Sequence, residues 1–60
     1  MLREGNRVTC KKNYKYGMIK VGDEGVIEVV TKNYIFVNFT EGVLFLKMTL
    51  QEVNEHLKVN

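Results

Sequence analysis

The chain of 60 residues contains no proline and no serine, and it has one cysteine and one histidine. Each shortage excludes something. Without serine there is no serine nucleophile. With His56 as the only histidine, and Cys10 far from it in sequence, no nucleophile–base pair can be read from the sequence. General acid–base work needs two groups in one cleft with their pKa values pushed apart, and a chain this short offers little cleft. Cys10 alone cannot form an intramolecular disulfide, and Cys10 with His56 supplies two of the roughly four ligands of a structural zinc site. No apolar run approaches the ~18 residues of a membrane span. The opening stretch MLREGNRV lacks the hydrophobic region of a secretory signal. These shortages lead us to expect a non-enzymatic cytoplasmic protein with no cofactor, no metal, no membrane association and no small-molecule substrate.

What is present has to stabilise a small fold. A 60-residue chain is expected to form a single domain, 1–60, that buries only about 60% of the surface its unfolded chain exposes. Such a core contributes a few kcal/mol, of order 3–5. With no covalent staple, the alternatives are a well-made core or self-association. The formal net charge of +2 is small, but the charges are segregated. Residues 1–20 carry Arg3, Arg7, Lys11, Lys12, Lys15 and Lys20 against Glu4. The remainder carries Lys32, Lys47 and Lys58 against Asp23, Glu24, Glu28, Glu41, Glu52 and Glu55.

Hydrophobic alternation predicts strands over most of the chain. Arg7 to Lys11 places Val8 and Cys10 on one face. Gly25 to Thr31 is nearly all apolar, with Ile27 and Val29 on one face and Val26, Glu28 and Val30 on the other. A bulge there brings both Ile27 and Val30 inside. A Lys32-Asn33 turn leads to Tyr34–Phe39, where Ile35, Val37 and Phe39 alternate with Tyr34, Phe36 and Asn38. Thr40-Glu41-Gly42 is a short hairpin loop with Gly42 available for positive φ. In Val43–Met48, Leu44, Leu46 and Met48 point inward. Thr49 with Glu52 three residues later has the spacing of a capping box, and Leu50, Val53 and Leu57 share one face of a helix from Thr49 to Lys58. That helix is too short to stand alone and must pack across an open end of the sheet. His56 falls on its solvent side. The expected core is Val8, Ile27, Ile35, Val37, Phe39, Leu44, Leu46, Leu50 and Val53. Residues 12–22 have no clean period and read as a loop, with a short extended piece at Met18–Val21.

The glycines and aliphatics of this pattern resemble those of small SH3-like barrels. Gly22, Gly25, Ile27 and Val30 match the Gly-x-x-Gly-x-Ile-x-x-Val entry of KOW-type modules from ribosomal and transcription-elongation proteins. Val37, Phe39, Leu50, Glu52 and Val53 are similar to the V-x-F strand and closing turn of the small photosynthetic subunits that dock ferredoxin. The resemblance implies an all-β fold, a small SH3-like barrel of about five strands with a short C-terminal helix, and it implies a binding role. The helix is longer than the closing turn of either group, and neither group's binding residues carry over.

Two surfaces are candidates for binding. Residues 10–20 hold Lys11, Lys12, Lys15 and Lys20, interleaved with Tyr14 and Tyr16 and free of acidic residues. That mixture suits nucleic acid, since lysines meet phosphates and rings stack on bases. The other readings of this loop are a solvated segment whose tyrosines fold back over the sheet and a protein contact; nucleic-acid association is the leading functional expectation, because the basic loop and the KOW-like hairpin agree. The second surface is a strip of outward aromatics, Tyr34, Phe36 and Phe45, flanked by Val26 and Val43. Exposed apolar strips mark contact surfaces. Here the strip suits a protein-docking or inhibitory module, phage- or mobile-element-encoded, or a homodimer. Asp23-Glu24 is read as turn chemistry and Cys10 as a buried thiol.

Overall fold

The alternation of Val8 and Cys10 with Arg7 and Thr9 becomes the first strand, β1 (Arg7–Cys10). The computed structural model describes residues 2–60, apart from the Glu41 side chain. After the loop 11–23 come β2 (Glu24–Val30), β3 (Ile35–Phe39), a 3-10 turn (Thr40–Gly42), β4 (Leu44–Met48), helix α1 (Leu50–His56) and β5 (Leu57–Val59). The five strands form one antiparallel sheet in the order β4-β3-β2-β1-β5, so four strands run as a meander and the fifth returns beside the first.

The interior follows the strand pattern. Val8, Cys10, Ile27, Ile35, Val37, Phe39, Leu46 and Met48 are buried, together with Val53 of α1, and Leu44 packs half-buried against them. Three further residues complete this core, namely Tyr14 and Ile19 from the loop and Leu57 from β5. The two glycines at the entry to β2 are required for different reasons. Gly22 has φ +98, which side chains with a Cβ rarely adopt. Gly25 is extended, but a Cβ there would come within 2.8 Å of both the Asn38 carbonyl oxygen and the Phe39 ring. Gly42 has the expected positive φ, +96.

Four expectations are corrected. The bulge in β2 is present, between Ile27 and Val29, but it does not bring Val30 inside. It leaves Val29 and Val30 both 38% exposed at the end of the strand. The helix does not run to Lys58. Its capping box forms, with the Glu52 N–H donating to Thr49 Oγ1 at 3.1 Å and the Thr49 N–H donating to Glu52 Oε1 at 3.0 Å. At Leu57 the backbone turns extended, φ −122 and ψ 147, because β1 still has an unpaired edge. Val8, Thr9 and Cys10 pair there with Val59, Lys58 and Leu57. The short helix then buries only Val53, so Leu50, expected in the core, stands 55% exposed at its first turn. His56 is not on the solvent side either. Its side chain is 14% exposed, and its ring packs edge-on against Tyr14 with centroids 4.9 Å apart.

Candidate functional site

The basic loop is held more firmly than its sequence suggests. At its base the Cys10 N–H donates to the Asp23 carbonyl and the Gly22 N–H to the Cys10 carbonyl, at 2.7 and 2.9 Å. Higher up, Tyr14 and Ile19 form a β-bridge, and the Asn13 side chain accepts the Val21 N–H at 2.9 Å. The apolar side chains of Tyr14 and Ile19 turn into the core from the two arms of this excursion, which ties the loop to the sheet. The tip reverses through three consecutive left-handed residues, Lys15 (φ 45), Tyr16 (φ 58) and Gly17 (φ 86).

This arrangement divides the residues singled out from the sequence. Tyr14 is 4% exposed. Its hydroxyl donates to Glu52 Oε2 at 2.8 Å, and its ring meets His56. Burial, followed by that hydrogen bond and the Glu52 charge, pushes its pKa up to about 12. A ring held this way has no face to offer a base, so Tyr14 belongs to the core. Lys12 is engaged as well, with its Nζ 2.7 Å from Glu55 Oε2. Its carbonyl lies 3.0 Å from His56 Nδ1 and accepts the Cys10 thiol at 3.1 Å. Burial raises the Cys10 pKa, and the thiol is 1% exposed. Lys11, Lys15 and Lys20 remain exposed, Lys15 with its ammonium 5.5 Å from the Tyr14 ring centroid, and the Tyr16 ring stands fully in solvent at the tip.

The capping carboxylate links loop and helix. The Thr49 backbone N–H, then the Tyr14 hydroxyl, hold the Glu52 pKa below the usual carboxylate range. One oxygen serves the helix and the other serves the loop.

The aromatic strip is assembled as the alternation implies. On the outer face of β2–β3–β4, Phe36 and Phe45 stack with centroids 5.6 Å apart and planes 28° apart. Lys47 lies directly opposite Phe36 in the ladder and places its ammonium 4.3 Å from the Tyr34 ring centroid. Phe45 is 54% exposed and Val43 is more so, while Phe36 is half-buried beneath the stack. Asn38, between Val26 and Phe45 in register, donates to Glu28 Oε2 at 3.3 Å but leaves its own buried Oδ1 without a partner.

A third feature has no single sequence signature. A cleft of about 450 Å³ opens where Leu2, the β2–β3 turn, the start of α1 and the end of β5 come together. Exposed Leu50 and Val30 lie along it, which accounts for their position outside the core.

Among the described residues, no cluster of three or more His, Cys, Asp or Glu side chains is placed to hold a metal ion, and no helix is long and apolar enough to cross a membrane. Comparison with known proteins finds no matching family model, no similar curated protein and no similar solved structure.

Proposed function

We propose that this chain is a non-enzymatic cytoplasmic binding module of the SH3-like barrel type, and that it docks a protein on the outer face of β2–β3–β4. The long first connection, the meander and the return of β5 to β1 beside a short helix support the SH3-like part of this reading. The Phe36–Phe45 stack carries the docking part. Two rings held against each other on an open sheet form a rigid apolar platform. Aromatic anchors of this kind dominate interface energetics because they bury much area at little cost in side-chain entropy. The Tyr34–Lys47 cation–π pair extends the platform with a polar end.

The test is Phe45→Ser, which removes an exposed ring and leaves the core intact. Proximity labelling in cells identifies a partner whose enrichment disappears in the variant. Sedimentation of the purified proteins identifies self-association in the same way. A wild type that is monomeric at high concentration and has no Phe45-dependent neighbour sinks the proposal.

A second reading, nucleic-acid binding, is favoured by the exposed ring of Tyr16 on a loop that also exposes Lys11, Lys15 and Lys20. It is tested by fluorescence anisotropy with single-stranded DNA and RNA. Each lysine that meets a phosphate steepens the log–log salt slope by about 0.7–0.9, and Tyr16→Ala costs roughly 1–3 kcal/mol if the ring stacks on a base. Binding that is unchanged by substituting all three lysines ends this reading.

A further inference from the structure

The cleft beside the aromatic strip has a definite chemistry. Its apolar wall comes from Leu2, Val30, Ile35, Leu50 and Val59. Three of these are well exposed, although each carries an aliphatic side chain and the core is a few residues away. Its polar rim comes from the β2–β3 turn and from Asn54 on the helix. Among the described residues lining it, Lys32 is the only charged one and none is acidic. A second cation, Lys47, sits over Tyr34 where the cleft meets the strip. The site is thus an apolar trough with cations at its edge. Tyr34 belongs both to the lining of this cleft and to the aromatic strip.

We infer that this cleft takes an extended peptide segment of a partner protein in which large aliphatic side chains alternate with acidic ones. In an extended segment successive side chains point to opposite sides. An aliphatic residue enters the trough against Leu50 and Val30, while its acidic neighbour turns to the rim and meets the Lys32 ammonium. The apolar contact supplies affinity, and the exposed ion pair supplies preference and orientation. This inference rests on the protein-docking reading above and adds the partner's chemistry to it.

The test titrates the full-length ¹⁵N-labelled chain with three capped hexapeptides, each alternating leucine with glutamate, glutamine or lysine. The glutamate peptide shifts the backbone amides of residues 30–35, 50, 54 and 59. It binds about fivefold more tightly than the glutamine peptide, as expected for one exposed ion pair, and the lysine peptide binds most weakly. Lys32→Glu reverses the order of the glutamate and lysine peptides. Leu50→Ala, at an exposed helix position that folding does not depend on, weakens all three peptides. Equal affinity for the three peptides overturns the inference, as does an order unchanged by Lys32→Glu or the absence of any shift at the cleft. Shifts confined to Phe36, Phe45 and their neighbours also overturn it while leaving the docking face in place, and loss of the Phe45-dependent partner is measured separately.

Discussion

Removing a single oxygen at Tyr14 isolates the link between the basic loop and the helix. Tyr14→Phe keeps the buried ring and its edge contact with His56, so no cavity forms. What is lost is the 2.8 Å hydrogen bond to Glu52 Oε2. A hydrogen bond to a charged partner contributes about 1.5–3 kcal/mol net. Glu52 is only half-buried and keeps its bond to the Thr49 N–H, so water can reach the freed oxygen and the low end applies. We therefore expect about 1.5 kcal/mol, which for a domain of this size lowers Tm by about 6–12 °C. Tyr14→Ala also empties the ring site, at about 3–5 kcal/mol. That is comparable to the whole stability of such a core, so this variant is largely unfolded. Urea unfolding followed by circular dichroism measures both. A double-mutant cycle with Glu52→Gln, which preserves the capping geometry, assigns the effect to the pair. The pair also adds a pH signature. Because the Tyr14 pKa is raised to about 12 in the folded state, its contribution is complete below about pH 10 and is lost as pH rises towards 12. Tyr14→Phe lacks that component. The reasoning fails if Tyr14→Phe is as stable as wild type, if the coupling to Glu52 is zero, or if Tyr14→Ala folds normally and loses only a ligand.

At the acid end, Glu52 has a depressed folded pKa, so its contribution is present above the unfolded carboxylate range and is lost as pH falls through the folded value. Thermal unfolding between pH 6 and 2.5 should show a fall that is smaller in Glu52→Gln. Gly25→Ala forces a methyl group against the Asn38 carbonyl and the Phe39 ring, and we expect about 1–3 kcal/mol of destabilisation in the same urea assay, whereas Gly5→Ala, with nothing within 4 Å of its added Cβ, is disfavoured only through its φ of +90. Cys10, 1% exposed, should resist alkylation in the native protein and react at the rate of a free thiol in denaturant.

The central strands were legible because one of their faces is buried. Ile35, Val37 and Phe39 alternate with half-exposed neighbours, and that alternation located both the interior and the Phe36–Phe45 strip. The last strand was not legible. Leu57-Lys58-Val59 continues a helical period equally well, and what decides between the two is the free edge of β1, which lies at the other end of the chain. Tyr14 presents the same difficulty. Among lysines it has the composition of a ligand-binding ring, and only the return of Ile19 beside it and the position of Glu52 show that it faces inward. Two large apolar residues flanking a glycine-tipped excursion were the available signal. The cleft left no trace in the pattern because its walls come from four separate segments, and its one sequence hint was Leu50 on a helix too short to bury it.

The pairing of β1 with β5 bears on how the chain reaches its native state. β2, β3 and β4 are joined by short turns and can form from local encounters. The seam between Val8–Cys10 and Leu57–Val59 joins segments separated by nearly the whole sequence, so its loop-closure entropy is the largest in the molecule. High contact order of this kind slows folding. Substitutions at Val8 or Leu57 should therefore act mainly on the unfolding rate, while those at Ile27 or Val37 act on the folding rate. The seam is thus a late latch: until it closes, the helix and the basic loop have no finished sheet to settle on.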